Sequence, residues 1–244
     1  MDFFKTKVLS NQKISSDIFV INVPNHYDKI LPGQFFMLKS WDDHLPLFRP
    51  ISVYNVENDL ISFMYRIVGS GTANLANLKK GNPIEILGPL GNGFPVGQEN
   101  GTIALVGGGV GIPPLFETAK QLKKMGNIVH VFLGYKDELF GFEEFENIAD
   151  AIFIACENGS EGYKGYITDI FDPKIYNAVF TCGPEVMMYK VRDKCSQLNI
   201  PSWLSMEKHM ACGVGACLVC NCDTIHGTKR ACKDGPVFLG SDIL

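Results

Sequence analysis

Apolar residues come in short bursts through residues 3–98, at 18–23, 34–38, 60–65 and 83–87, and Gly, Pro and Asn break the chain between them. That rhythm predicts the antiparallel strands of a sandwich or barrel. Residues 75–78 (Leu-Ala-Asn-Leu) predict a helical turn or short helix, and Leu31-Pro-Gly33 and Lys80-Gly-Asn82 supply turns. From Gly101 the texture changes. Residues 102–106 (TIALV) form a continuous apolar run, the pattern of a strand buried on both faces of a parallel sheet. Runs at 127–133, 151–155 and 178–181 repeat it, and 201–206 suits one more strand. Helical patterns occupy 115–124 and 185–195, the second directing Val186, Met187, Tyr189 and Val191 towards the sheet. The expected fold class is β plus α/β in three parts. An antiparallel barrel of the six-stranded type covers 1–98, a parallel-sheet nucleotide-binding domain 99–200, and a small C-terminal segment 201–244.

Composition narrows the classes. A chain of 244 residues accommodates two compact domains and an appendage. With 46% hydrophobic and 20% charged residues it reads as globular. No apolar run approaches the ~20 residues of a membrane helix, and the start, Met-Asp-Phe-Phe-Lys-Thr-Lys, lacks the apolar core of a signal peptide. The expected location is the cytoplasm, with no membrane partner. A net charge of −4 gives no electrostatic reason to expect nucleic acid. Of eight cysteines, Cys212, Cys217, Cys220, Cys222 and Cys232 lie within 21 residues. In a cytosolic chain such a cluster binds metal rather than forming disulfides. Cys156 and Cys195 read as small buried hydrophobes.

Strand 102–106 runs into Gly107-Gly108-Gly109-Val110-Gly111-Ile-Pro-Pro114 and then a helix. Strand, glycine turn and helix start form a phosphate cradle, because backbone amides and the positive helix end face the ligand. The run departs from the G-x-G-x-x-G dinucleotide fingerprint. Beyond the next strand, Asp137 and Glu138 are the acidic residues placed to hold a ribose hydroxyl, which favours NAD. Thr181-Cys182-Gly183-Pro184 closes a later strand, at the end where ligands of open α/β sheets bind. In the first third, Arg49-Pro50-Ile51-Ser52 offers a planar guanidinium suited to phosphate. Tyr65-Arg66-Ile67-Val68-Gly69-Ser70-Gly71-Thr72 ends a strand in a turn whose amides can approach another.

The cysteine spacing is C-x4-C-x2-C-x11-C, that of plant-type [2Fe–2S] centres. A structural zinc site also takes four thiolates but favours paired C-x2-C knuckles, and here Cys217/Cys220 is the one such pair. Cys222 lies two residues beyond Cys220, so in a strand both face one side and Cys222 is a surplus thiol near the centre. His209 and His226 would permit a mixed His/Cys centre, but four cysteines already suffice.

In this order, R-P-I-S, Y-R-I-V-G-S-G-T, G-G-G-V-G-I-P-P and T-C-G-P resemble the ferredoxin reductase superfamily. M-A-C-G-V-G-A-C-L-V-C and A-C-K-D-G-P-V-F narrow the resemblance to the electron-transfer subunits of NAD-dependent (class 1B) dihydroorotate dehydrogenases. It implies FAD on the barrel. Arg49 would meet its pyrophosphate beside Pro50 and Ile51, and Ser52 would lie near the flavin N5. The backbone of Arg66, Ile67 and Val68 would line the isoalloxazine, with Gly71 and Thr72 on the phosphate side. Gly107, Gly108, Gly109, Gly111 and Asp137 would hold NAD, and Cys182 would stand on the hydride path as the catalytic residue. Cys212, Cys217, Cys220 and Cys232 would ligate the [2Fe–2S] cluster. The implied partner is an FMN-containing catalytic subunit that oxidises dihydroorotate in pyrimidine biosynthesis, in a heterotetramer of two plus two. Electrons would run through [2Fe–2S] and FAD to NAD⁺. Reductase subunits for ferredoxin-linked NADPH oxidation or sulfide metabolism share the upstream motifs and stand as the alternative. One departure is the lack of arginine in 134–138, where the superfamily commonly has a basic residue.

Overall fold

The computed structural model describes residues 1–40 and 46–244. Its first part contains β1 (Asp2–Lys7), β2 (Ser10–Lys13), β3 (Ile18–Pro24), β4 (Phe35–Ser40), β5 (Arg49–Ser52), β6 (Asn55–Val56), β7 (Leu60–Arg66), helix α1 (Ser70–Asn77) and β8 (Pro83–Leu90). Two antiparallel four-stranded sheets result, ordered β1-β8-β4-β5 and β2-β3-β7-β6. Alternation builds their shared core: along β8, Ile84, Ile86 and Leu90 are buried and the intervening positions less so. Ile21, Phe36, Leu38, Phe63 and Ile84 meet in the middle, and Leu75 of α1 joins them. Eight strands stand among the described residues where a six-stranded type was expected. The polar β2 (SNQK) and the two-residue β6 carry no apolar alternation by which to be read. Helix α1 is the short helix expected around 75–78, and it begins earlier, at Ser70, where Thr72 organises its start.

The second part contains β9 (Thr102–Gly108), α2 (Pro113–Lys124), β10 (Ile128–Tyr135), α3 (Glu143–Glu146), β11 (Ala151–Cys156), β12 (Tyr163–Lys164), α4 (Ile167–Ile170), β13 (Ala178–Cys182), α5 (Glu185–Ser196) and β14 (Ser202–Ser205). The chain ends with the hairpin β15 (Asn221–Thr224) and β16 (Gly227–Arg230), and then β17 (Val237–Leu239). A seven-stranded sheet runs β12-β11-β10-β9-β13-β14-β17, parallel except for β17. Ile103 and Leu105 of β9 pack with Leu115 and Leu122 of α2. Ala104 and Val106 share a cluster with Val191 and Cys195 of α5. Successive residues of one strand thus serve opposite faces, which is why it reads as unbroken apolar sequence. On α5 the buried stripe is Met188, Val191 and Cys195. Val186, expected against the sheet, is 69% exposed, because it falls off that i, i+3, i+7 stripe.

Residues from 201 onward enter this sheet through β14 and return to it through β17. Between these strands the cysteine loop lies against the first part. Phe35, Met37 and Leu90 share a core with Met206, Cys220, Cys222, Cys232 and Phe238. Among the described residues no helix is long and apolar enough to cross a membrane.

Candidate functional site

Both motifs of the first part converge. Arg49 begins β5 and Gly71 lies in the first turn of α1, and a Cβ on Gly71 would collide with the Arg49 guanidinium. Arg49 Nη1 donates to the carbonyls of Leu47 (2.6 Å) and Phe48 (3.3 Å), and no carboxylate pairs with it among the described residues. The Thr72 hydroxyl accepts from the amides of Val68 (2.9 Å) and Gly69 (3.2 Å). The first amides of α1 have no intrahelical acceptor, and they lie next to the guanidinium. Ser52 ends β5 opposite Phe35, Pro50 sits opposite Met37, and Ile51 packs on the core. Arg66 turns away from this corner, pairing with Asp17 (3.1 Å) and lying over the Phe140 ring (5.8 Å). The Ile67 amide is committed to the Asp17 carbonyl (2.9 Å), and the Val68 side chain is exposed.

The nucleotide motifs converge as well. Cys182 is the register partner of Gly107. A Cβ on Gly111 would strike the Cys182 carbonyl, so only glycine lets the two turns touch. The β9–β13 boundary is the switch point of the sheet, since the chain goes to β10 on one side and β13 on the other. Beside it Gly109 has open space where a side chain would stand. Cys182 is 1% exposed. Burial pushes its thiol well above the ordinary range, the Glu207 charge adds to this, and a hydrogen bond with Ser205 opposes it. It is a neutral thiol at pH 7. Glu207 and Ser205 were not singled out in the sequence. Ser205 pairs in register with Cys182 on the neighbouring strand, and Glu207 follows that strand's end, with its pKa raised by loss of water. An acidic residue at the C-terminal end of a buried parallel strand was the signal available. Of the two acidic residues after β10, Glu138 is occupied by the Ser16 amide (3.0 and 3.3 Å). The Asp137 carboxylate is exposed and has no partner among the described residues.

Cys212 and Cys217 lie within side-chain hydrogen-bond reach of each other, as do Cys220 and Cys232. The amides of Val214 and Cys217 both donate to Cys212 Sγ (3.4 Å each), and the Cys232 amide points at Cys220 Sγ (3.5 Å). No three metal-binding side chains among the described residues surround a single point. Burial opposes ionisation of Cys212, but the amides of Val214, Cys217 and Ala216 outweigh it and bring the thiol down to about 6. Cys232 is pushed up to about 12 by burial and by Cys220 alongside. Gly213 has φ +69° and rests on Met37, where a Cβ would lie 2.7 Å from Cγ. Arg230 holds the loop from the other side, donating to the Gly215 carbonyl (3.0 Å) while paired with Asp234 (3.0 Å). Val214, Leu218 and Val219 are exposed around the thiols. Cys222 is buried, its thiol raised to about 11 mainly by burial. A cleft of about 1060 Å³, lined by Tyr27, Phe94, Gln121 and Trp203 among others, contains none of the motif residues.

Residues 207–244 match the family model of the iron-sulfur cluster binding domain of dihydroorotate dehydrogenase B. Among solved structures, the fold is similar to that of an NADH-dependent reduced ferredoxin-NADP oxidoreductase studied for flavin-based electron bifurcation. The TM-score is 0.89 at 30% identity, over 98% of this chain and 89% of that one. A Neisseria gonorrhoeae ferredoxin NADP⁺ reductase shares the fold at TM-score 0.63 and 14% identity, over 82% of this chain and 92% of that one. The class is therefore a ferredoxin-reductase-like β plus α/β protein with a C-terminal iron-sulfur domain. The chain is 46% identical to the electron transfer subunit of dihydroorotate dehydrogenase B (NAD(+)) of Clostridium acetobutylicum, over 98% of this chain and 96% of the relative. The identity with the Clostridium perfringens subunit is 42%, over 100% and 98%. The chain belongs to the family of electron transfer subunits of dihydroorotate dehydrogenase B.

Proposed function

We propose that this chain carries electrons from an FMN-containing dihydroorotate dehydrogenase subunit to NAD⁺ in pyrimidine biosynthesis, using [2Fe–2S] and FAD. One observation carries the reading: Gly213 of the thiol loop rests on Met37, and Met37 is the register partner of Pro50 in the R-P-I-S strand. The one-electron site and the flavin motif are thus separated by a single strand. When bound, the cluster supplies single-electron transfer, the flavin links single electrons to hydride, and NAD⁺ accepts the hydride.

The chain's own groups bind and orient. Arg49 and the start of α1 hold the FAD pyrophosphate, and Ser52 faces the flavin edge. In this reading residues 1–98 are the FAD barrel, 99–200 the NAD domain and 201–244 the cluster segment. The turn at 107–111 takes the NAD phosphates and Asp137 a ribose hydroxyl. Cys182, buried and neutral, fills the wall beside the nicotinamide without adding charge. Cys212 with Cys217, and Cys220 with Cys232, hold the cluster. Two thiol pairs suit a binuclear centre, in which each iron takes two protein thiolates, better than one zinc ringed by four. Val214, Leu218 and Val219 dock the catalytic subunit, in a cytoplasmic heterotetramer of two plus two.

The test is recovery of the chain from native extract with its partner, followed by a dihydroorotate-dependent NAD⁺ reduction assay and iron and sulfide analysis. Zinc without iron or sulfide would overturn the reading. Recovery with a glutamate-synthase-like partner and no FMN subunit would favour the related ferredoxin-linked reductase, a reading to which the 30% identity with that class gives substance.

A further inference from the structure

Strand β10 pairs with β11 as far as Tyr135 and Cys156, and the Glu157 amide extends the ladder once more to the Tyr135 carbonyl (3.1 Å). Beyond that point the chains separate, and the Asp137 carbonyl loses its ladder partner. Three side-chain groups from the stretch Cys156-Glu-Asn158-Gly-Ser160 replace it. Asn158 Nδ2 donates to the Asp137 carbonyl at 3.1 Å, Ser160 Oγ lies at 3.4 Å and Cys156 Sγ at 3.6 Å. Asn158 is itself fixed, since its Oδ1 accepts from the Ser160 amide at 2.8 Å. On the other side, Glu138 is tied to the Ser16 amide across the domain boundary. The Asp137 peptide is therefore clamped from both directions while its carboxylate stays exposed and unpaired.

The clamp matters because the loop carries two opposed specificities. Asp137 suits a free ribose hydroxyl and repels a 2′-phosphate, while Lys136, exposed beside it, suits the 2′-phosphate. Which of them meets the adenosine ribose depends on how the intervening peptides are turned. We infer that Asn158, assisted by Ser160, is a positioning residue that sets selectivity for NAD over its 2′-phosphorylated counterpart by fixing the Asp137 peptide. This deepens the proposed function and rests on Asp137 being the ribose ligand.

The test uses the full complex with Asn158→Ala, Asn158→Ser and, as a reference, Asp137→Asn. The serine variant keeps an acceptor for the Ser160 amide and so guards against loss of the turn. Calorimetric Kd values for NAD⁺ and NADP⁺ are measured together with kcat and KM for each. Both Asn158 variants should weaken NAD⁺ by roughly three- to tenfold, the size of one net hydrogen bond. They should leave kcat and flavin content unchanged and bind NADP⁺ no more weakly than before. Equal weakening of both nucleotides, or an unchanged preference beside an Asp137→Asn variant that has lost its own, would overturn the positioning role. An unchanged preference in Asp137→Asn would instead remove the ribose assignment beneath it.

Discussion

The turn at 107–111 is packed against the protein at Gly107, Gly108 and Gly111 and open at Gly109, whereas the loop at 212–217 stands open around its thiols. Around the turn, the Cys182 carbonyl, Ile112, Leu115 and Met187 occupy the places where side chains would go. Its shape at these positions follows from packing. The loop has Cys217 exposed and apolar neighbours in solvent, and it is held from Met37 beneath and Arg230 at the side. Its thiols neighbour one another, Cys212 with Cys217 and Cys232 with Cys220. Glycine serves two ends. At Gly111 it admits neighbouring backbone, and at Gly109 (φ +52°) and Gly213 (φ +69°) alike it admits a left-handed turn.

The most severe way to test this difference is to remove a thiol. Cys220→Ser should abolish iron and sulfide binding and lower dihydroorotate-dependent NAD⁺ reduction by at least roughly 100-fold, beyond the loss usual for groups that only support a ligand. NADH-driven dye reduction, which needs only the flavin and nucleotide halves, should stay within about twofold. A variant that kept its cluster, or loss of the cluster in Cys222→Ser but not in Cys232→Ser, would show the ligand set to be wrong.

The opposite substitution tests the closed turn. Gly111→Ala drives a methyl into the Cys182 backbone, which cannot swing aside as a side chain can. Overpacking of that kind costs about 1–3 kcal/mol, and a chain of this size loses roughly 2–4 °C of Tm per kcal/mol. NAD⁺ affinity should fall with Tm while iron content holds. A variant with unaltered Tm and NAD⁺ affinity would mean the turn is looser than its packing implies.

How far each region was legible follows from what determines its shape. The run at 102–108 announces a buried strand because both of its faces are covered, and the turn after it is written in glycines. The cysteine spacing announces a metal. What escaped the sequence was partnership over long separations. Neither the collision course between Gly71 and Arg49 nor the placing of Gly213 on Met37 has any local mark, because each depends on two distant strands arriving together. The edge strands β2 and β6 were unreadable for a different reason: they are held by ladder hydrogen bonds and bury little of their own. The Arg230–Asp234 pair that steadies the loop was written at i, i+4 spacing, but nothing local pointed to the Gly215 carbonyl as its further target.

The mildest test examines the open loop without its metal. Burial opposes ionisation of Cys212, but the amides of Val214 and Cys217, the Cys217 thiol and the Ala216 amide together lower its pKa from an ordinary 9 to about 6, while Cys232 is raised to about 12 by burial and Cys220. The signs oppose. At Cys212 the folded state holds the thiolate better than the unfolded chain, so that contribution is full above pH 9 and is lost as pH falls through about 6. At Cys232 the unfolded chain ionises first, so stability is lost as pH rises from 9 towards 12. Thiolate is the form that reacts with iodoacetamide. In metal-free protein the labelling of Cys212 should be half-developed near pH 6 and level by pH 7.5, with Cys232 slow throughout. At pH 7 the gap should be on the order of tenfold or more, since a low-pKa thiolate is individually less nucleophilic but far more abundant. Peptide mass spectrometry reads both sites in one sample. Cys212 labelling that climbed steadily to pH 9 would mean the amides are not aimed at its sulfur until a cluster is present, and the loop would be less ready for metal than its hydrogen bonds indicate.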